Sequence, residues 1–197
     1  MTHWRLAILG LLAPLALAGA LVAAADGDWG YWRGPDATGV ARGDAPLTWS
    51  DTQGVRWKAT VPGRGFSSPV VWGDRLYVTT AVSSGPIEEM KKGLYFGGNR
   101  GKVNDEHRFL AVALDTKTGK IVWERELFRG VPPGSRHLKN SFASETPVTD
   151  GAIADLAIVV ARDGQGCMLH LVDLADARVR RSTVPTLDRS RPQARLD

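Results

Sequence analysis

The residues with chemistry to offer gather in one stretch, VPPGSRHLKNSFASETPVTD, which carries His137, Lys139, Asn140, Ser144 and Glu145. An imidazole, an ammonium, an amide, a hydroxyl and a carboxylate so close in sequence can hold a polar ligand. They can equally satisfy the backbone groups of their own turns, and spacing alone leaves both readings open. Catalytic and metal patterns are absent: His3, His107, His137 and His170 show no nucleophile–His–acid spacing and no ligand cluster. Gly97-Gly98-Asn99-Arg100-Gly101 has the glycines of a phosphate loop. It lacks the Gly-Lys-Ser/Thr, the preceding buried strand and the following helix, so it reads as surface loop. Cys167 stands alone and makes no internal disulfide.

Those side chains must be positioned by strands. Phe109 to Leu127, FLAVALDTKTGKIVWEREL, is the clearest unit. Leu110, Val112 and Leu114 alternate with Phe109, Ala111 and Ala113, so this strand is apolar on both faces and needs cover on both. Asp115-Thr116-Lys117-Thr118-Gly119 is a turn, with a carboxylate for local N–H groups and a glycine free to take positive φ. The return strand is expected to put Ile121, Trp123 and Leu127 on one face and Val122, Glu124 and Glu126 on the other. Phe66 to Ala81 reads as strand, Gly73-Asp74 turn, strand. Val55 to Val61 alternates as a further strand.

Ser144 to Gly151 begins a second copy of the unit. Pro69-Val70 and Pro147-Val148 are offset by 78 residues, or 54 without the 24-residue polar insertion Ser83 to Glu106. A period near 40–50 residues is that of stacked sheet repeats. After Gly151 the pattern thins. Ala152 to Ala161 and Met168 to Leu174 are apolar enough for strands, but Ala175 to Arg180 has neither the Gly nor the Trp that a further turn would require.

Arg5 followed by the uncharged run Leu6 to Ala25, ending Ala23-Ala24-Ala25, has the form of a secretory signal. No Cys follows it, so the lipid-anchor route is closed and the expected location is periplasmic or secreted. The formal charge of +4 comes from residues 178–197, with six Arg against two Asp, and the remainder balances at 19 basic and 19 acidic. A nucleic-acid surface would need cations on the folded body, so that class is excluded.

The spacing Ala113-x-Asp115-x-x-Thr118-Gly119-Lys120-x-x-Trp123 resembles the tryptophan-docking motif of the pyrroloquinoline-quinone-like β-propeller repeat family. There the Trp of one blade stacks against the turn of its neighbour, burying an indole while a turn carbonyl takes its N–H. The aromatic lead-in DWGYWRGPDATGV and the run His137-x-Lys139-Asn140-Ser141-x-Ala143-Ser144-Glu145-Thr146-Pro147-Val148 are also similar to exported members of that family. The resemblance implies an all-β chain, a partial β-propeller of about two four-stranded antiparallel blades. It further implies an N-terminal signal helix (1–25), an irregular aromatic lead-in (26–54), blades over 55–175 and a basic, disordered tail (176–197). In that frame Val55 to Val61 belongs to the last blade. His137, Lys139, Asn140, Ser144 and Glu145 border the mouth of the central channel beside Ser67 and Ser68.

Because a closed propeller needs four to eight blades, the chain reads as truncated or frame-shifted after about residue 150. It would then be marginally stable and associate through its blade edges. The function this implies is a non-catalytic binding or scaffold module for an unknown protein or small-molecule ligand. No cofactor is expected, and the membrane is met only through the signal. The alternative is a fragment of a quinoprotein alcohol or sugar dehydrogenase holding pyrroloquinoline quinone on calcium, with Glu145 and Asn140 as its nearest ligand candidates.

Overall fold

The computed structural model describes residues 27–43, 45–87, 103–132, 134–137 and 139–149 with their side chains, and residues 156–163, 166–173 and 179–183 as backbone strands. The expected signal helix, the Gly-rich centre of the 83–106 insertion and residues 184–197 lie outside the described residues. What is described is all-β. Strands β1 (Val70–Trp72), β2 (Arg75–Ser83), β3 (His107–Asp115) and β4 (Ile121–Gly130) form one sheet, and β5 (Val148–Thr149), β6 (Leu156–Asp163), β7 (Gly166–Asp173) and β8 (Val179–Thr183) form a second. Both are four-stranded antiparallel meanders in chain order. The repeat seen in sequence is thus a repeat in space, with Val70 opening β1 and Val148 opening β5.

The composition of β3 explains the first sheet's core. Leu110, Ala111, Val112, Ala113 and Leu114 are all buried, so the strand is covered on both faces as its sequence requires. One face carries Leu110, Val112 and Leu114 with Leu76, Val78, Val82 and Val61 packed against them. The other carries a row running straight across the sheet, Val70–Tyr77–Ala113–Trp123, each residue paired to the next. Trp123 packs there at the edge, its ring 6.0 Å from that of Tyr77.

β4 departs from the expected alternation. Register shifts beside Leu110 and Leu114 set Ile121 opposite Leu114 while Trp123 stays opposite Ala113. Directly opposed residues share a face, so Ile121 falls on the Leu114 side and not with Trp123. A bulge has this effect because one extra residue reverses every later side chain. β4 is the outermost strand of its sheet, and it is ion-paired to β3 through Arg108 to Glu124 at 3.2 Å and Glu126 at 2.9 Å, with Arg129 adding a 2.7 Å contact to Glu126.

Val55 to Val61 is not a ladder strand. Alternation supplies an amphipathic edge, yet a strand also needs a hydrogen-bonding neighbour, and among the described residues none pairs with this one. The segment docks through side chains. Part of the stretch expected as a disordered tail is ordered, since Val179–Thr183 forms β8 against β7. Its Arg-rich composition hid it, because an outer strand needs ladder partners more than an apolar face.

The lead-in ties the two sheets together. Trp29 exchanges hydrogen bonds with Val71 on β1 (2.7 and 2.8 Å), and Gly30 accepts one from Thr149 of β5 at 2.8 Å. The Asp28 carboxylate accepts from the Gly73 N–H at 2.8 Å. A Cβ at Gly30 would lie 2.2 Å from the Thr149 carbonyl oxygen, so only glycine lets the chain pass this close to β5. From 35 to 56 every described residue is exposed, including Leu47 and Trp49.

Among the described residues two buried hydroxyls are unsatisfied, those of Thr80 and Thr149. Thr80 is 5% exposed and its hydroxyl has no hydrogen-bond partner, although its backbone pairs with Leu110. An unpaired buried hydroxyl costs about 1–3 kcal/mol, and valine has the same shape without it. Thr80→Val is therefore expected to raise the unfolding free energy by about 1 kcal/mol, read as a higher midpoint in urea at unchanged slope.

Candidate functional site

Two built places stand out, a turn and a recess. The turn joins β3 to β4. Asp115 Oδ1 accepts from the Thr118 N–H at 2.8 Å, the Thr118 hydroxyl at 2.9 Å and the Lys117 N–H at 3.0 Å. The Asp115 backbone carbonyl takes the Gly119 N–H at 2.8 Å, closing the turn, and Gly119 sits at φ +70°. Into this turn comes Trp57. Its indole N–H donates to the Thr116 carbonyl at 2.8 Å, and its ring lies so flat on Gly119 that a Cβ there would approach ring carbons to 2.5 Å. Aspartate shapes the turn, glycine flattens it, and the Thr116 carbonyl meets the one polar atom of the indole.

Sequence reasoning assigned Trp123 to docking and Trp57 only to the face of a strand. The structure places Trp57 on the Asp115–Gly119 turn and Trp123 beside Tyr77 on its own sheet, while the next blade's turn, on which Trp123 would dock, lies outside the described residues. The usable signal was Trp57 itself, a large aromatic in a polar stretch with no ladder to fill.

The Thr118 hydroxyl, then the Thr118 N–H, and further the Lys117 N–H and the charge of Arg75 hold the Asp115 carboxyl below its ordinary value of 3.8, against a smaller opposing effect of burial. A carboxylate whose folded pKa is depressed adds stability above its unfolded pKa and loses it as pH falls through the folded one. In the acid window below about pH 4 the unfolded chain binds the proton first, so stability drops with acid. Asp115→Asn is expected to lower the melting temperature at pH 7 and to flatten its fall across that window in a series of thermal melts. Some slope persists, because the Arg129 and Arg108 guanidiniums also hold Glu126 low.

The recess lies between the end of the β2–β3 hairpin and the loop before β5. It is a half-open hollow of about 30 Å³, lined among the described residues by Arg64, Ala81, Ser83, Ile87, His107, Arg136, Asn140, Ser141 and Phe142. His107 is buried, its Nδ1–H donates to the Asp105 carbonyl at 2.9 Å, and its ring meets Phe142 edge-on at 4.9 Å. Arg64 is fixed by its backbone, which exchanges two hydrogen bonds with Ala81. Arg136 Nη1 donates to the Asn140 carbonyl at 3.1 Å, pinning the loop.

Of the residues expected at a channel mouth, only Asn140 lines this recess. Its Oδ1 accepts from the Ser141 N–H at 2.9 Å and the Ser144 hydroxyl at 2.6 Å. His137 Nδ1 accepts from the Lys139 N–H at 3.2 Å, and Glu145 Oε2 from the Ser144 N–H at 3.1 Å. The cluster thus spends many of its polar atoms on its own loop. Ser67 and Ser68 do lie beside it. Ser68 N–H donates to the Thr146 hydroxyl at 3.0 Å, joining the two repeats at the same 78-residue offset, and the Thr79 hydroxyl donates to the Glu145 carbonyl at 3.0 Å. Arg64, His107, Arg136 and Phe142 were missed as site residues because they belong to segments that read as turn, strand end and connector.

A family model described as outer membrane protein assembly factor BamB, a pyrroloquinoline-quinone-type repeat, matches residues 3–165. The chain belongs to the pyrroloquinoline-quinone-like β-propeller repeat family. Its two four-stranded sheets are accordingly propeller blades, and the match runs through β6. Comparison with curated proteins gave no match.

The name of this propeller family raises the question of a calcium-held quinone, and the described residues do not fit one. Asn140 Oδ1 already accepts two hydrogen bonds, Glu145 is exposed, and among the described residues no group of three His, Cys, Asp or Glu could hold a metal ion. Among the described residues no helix is long and apolar enough to cross a membrane.

Proposed function

We propose that this propeller-repeat chain is an exported, non-catalytic binding or scaffold module whose ligand or protein partner engages the loop end of its first blade. The observation that carries the reading is the recess between Arg64 and Arg136. It is small, its walls are held by hydrogen bonds and ring contacts, and it sits where the two repeats are stitched together by Ser68 and Thr146. Preorganised side chains on a rigid sheet end suit recognition, because little ordering is left to be done when a partner arrives. The assembly-factor description of the matching family model agrees with a scaffold role. Export to the periplasm or beyond follows from the apolar N-terminal run, and the neutral body argues against nucleic acid as partner.

The test is direct. Purified chain, given calcium, pyrroloquinoline quinone, a primary alcohol and an electron-accepting dye, is expected to reduce no more dye than the same mixture without protein. Turnover above that blank would overturn the reading in favour of a dehydrogenase.

A further inference from the structure

We infer that the segment Val55 to Val61 is a docking edge for a strand of another polypeptide, one that alternates apolar with acidic residues. This surface is separate from the recess, and the inference does not rest on the binding reading above. From Val55 to Val61 the chain makes no turn or bend and takes no positive φ. None of these residues is proline, so each carries a backbone donor and an acceptor. Among the described residues none of those backbone groups has a hydrogen-bond partner. The segment is held by side chains instead, Trp57 on the Asp115–Gly119 turn and Val61 on the cluster of Leu110, Val112 and Leu114. Backbone fixed at two points with its own groups unpaired is a template for one more strand.

Charge and cover narrow the occupant. The eight described strands are all placed in the two sheets, so none of them fills this edge. β4 of a second copy is poorly suited, because its carboxylates Glu124 and Glu126 are already held by Arg108 and Arg129. Arg56, Lys58 and Thr60 alternate with the docked residues, are exposed, and include no acid. Lys58 reaches Asp51 at 2.9 Å, but both side chains are largely in water, and such a pair is easily exchanged for another. Directly opposed residues share a face and opposite charges there attract, so Asp or Glu belongs across from Arg56 and Lys58. On the sheet side, Leu76, Val78 and Val82 pack on the same cluster as Val61 and are only half-buried. A strand that turns aliphatic side chains toward them at alternate positions takes that apolar surface out of water.

The experiment titrates three blocked nonapeptides into the full chain: one alternating valine with glutamate, one alternating valine with lysine, and the glutamate peptide N-methylated at its central residues. By calorimetry the glutamate peptide is expected to bind about tenfold more tightly than the lysine one. The N-methylated form, without its central N–H donors, should not bind. Amide exchange read by NMR is expected to be fast across residues 55–61 in the free chain. With the glutamate peptide bound it should slow about tenfold at alternate residues, as a ladder on one edge requires. Arg56→Glu combined with Lys58→Glu should reverse the preference between the two charged peptides. Equal binding of those two, binding of neither, or binding indifferent to N-methylation would overturn the inference without reference to any variant. Slow exchange already present in the free chain would overturn it as well. If independent of concentration, the edge is filled from within the chain, and if rising with concentration, by a second copy. The dye assay decides the earlier reading separately and is untouched by any of these results.

Discussion

Trp57→Ala is expected to cost this protein about 3 kcal/mol, the largest loss from any single side chain outside the strands. The indole fills the gap between the segment from Val55 to Val61 and a hairpin turn, and its N–H meets the Thr116 carbonyl at 2.8 Å. Truncating a large aromatic removes its buried area and leaves a cavity, typically 3–5 kcal/mol when burial is complete. Trp57 is half-buried, which places the estimate at the lower end. Trp57→Phe separates the parts, since it keeps most of the ring and deletes the hydrogen bond, for about 1 kcal/mol. Equilibrium urea unfolding of the three proteins checks both figures. Equal stability of the alanine variant and the parent would mean that Val55 to Val61 contributes nothing to the fold.

The second expectation concerns the other side of the same contact. Gly119→Ala should destabilise by about 2 kcal/mol or more, from two separate causes. Positive φ costs an L-residue roughly 1–2 kcal/mol, and the added methyl would stand 2.5 Å from Trp57 ring carbons. The second cause requires the indole to be there. In a Trp57→Ala background, Gly119→Ala should cost only about 1 kcal/mol, the backbone part alone. A double-mutant cycle that came out additive would show that ring and turn do not touch in solution.

These two residues also show what can be read from a sequence of this kind. The hairpin from Phe109 to Leu127 was legible because its strand is apolar at every position and its turn carries Asp, Thr and Gly at fixed offsets. The 78-residue repeat was legible because Pro-Val opens an inner strand in each copy. That Trp57 is the indole received by the Asp115–Gly119 turn was not. That depends on how a segment outside the ladder crosses the sheet, and periodicity is blind to it. The strand assigned to Val55 to Val61 had the alternation and lacked a neighbour. The side of Ile121 was lost to a bulge, which leaves no mark in composition. Likewise β8, with Arg180 and Arg181, carries no apolar period at all. At the loop end, the polar run from His137 to Glu145 announced itself by residue type, but much of it serves its own turns. The recess is walled by Arg64, His107 and Phe142, brought together only by the fold.

The charge order along β4 bears on how copies of this protein can meet. Two such outer strands laid antiparallel about a twofold axis must set residues of the same face opposite one another. Centred on Arg125, the pairing opposes Arg125 with itself and Glu124 with Glu126. Centred on Glu124 or on Glu126, it opposes a carboxylate with its own image. Like charges directly across a ladder repel, so self-pairing in any of these three registers is opposed by the strand's own charge order.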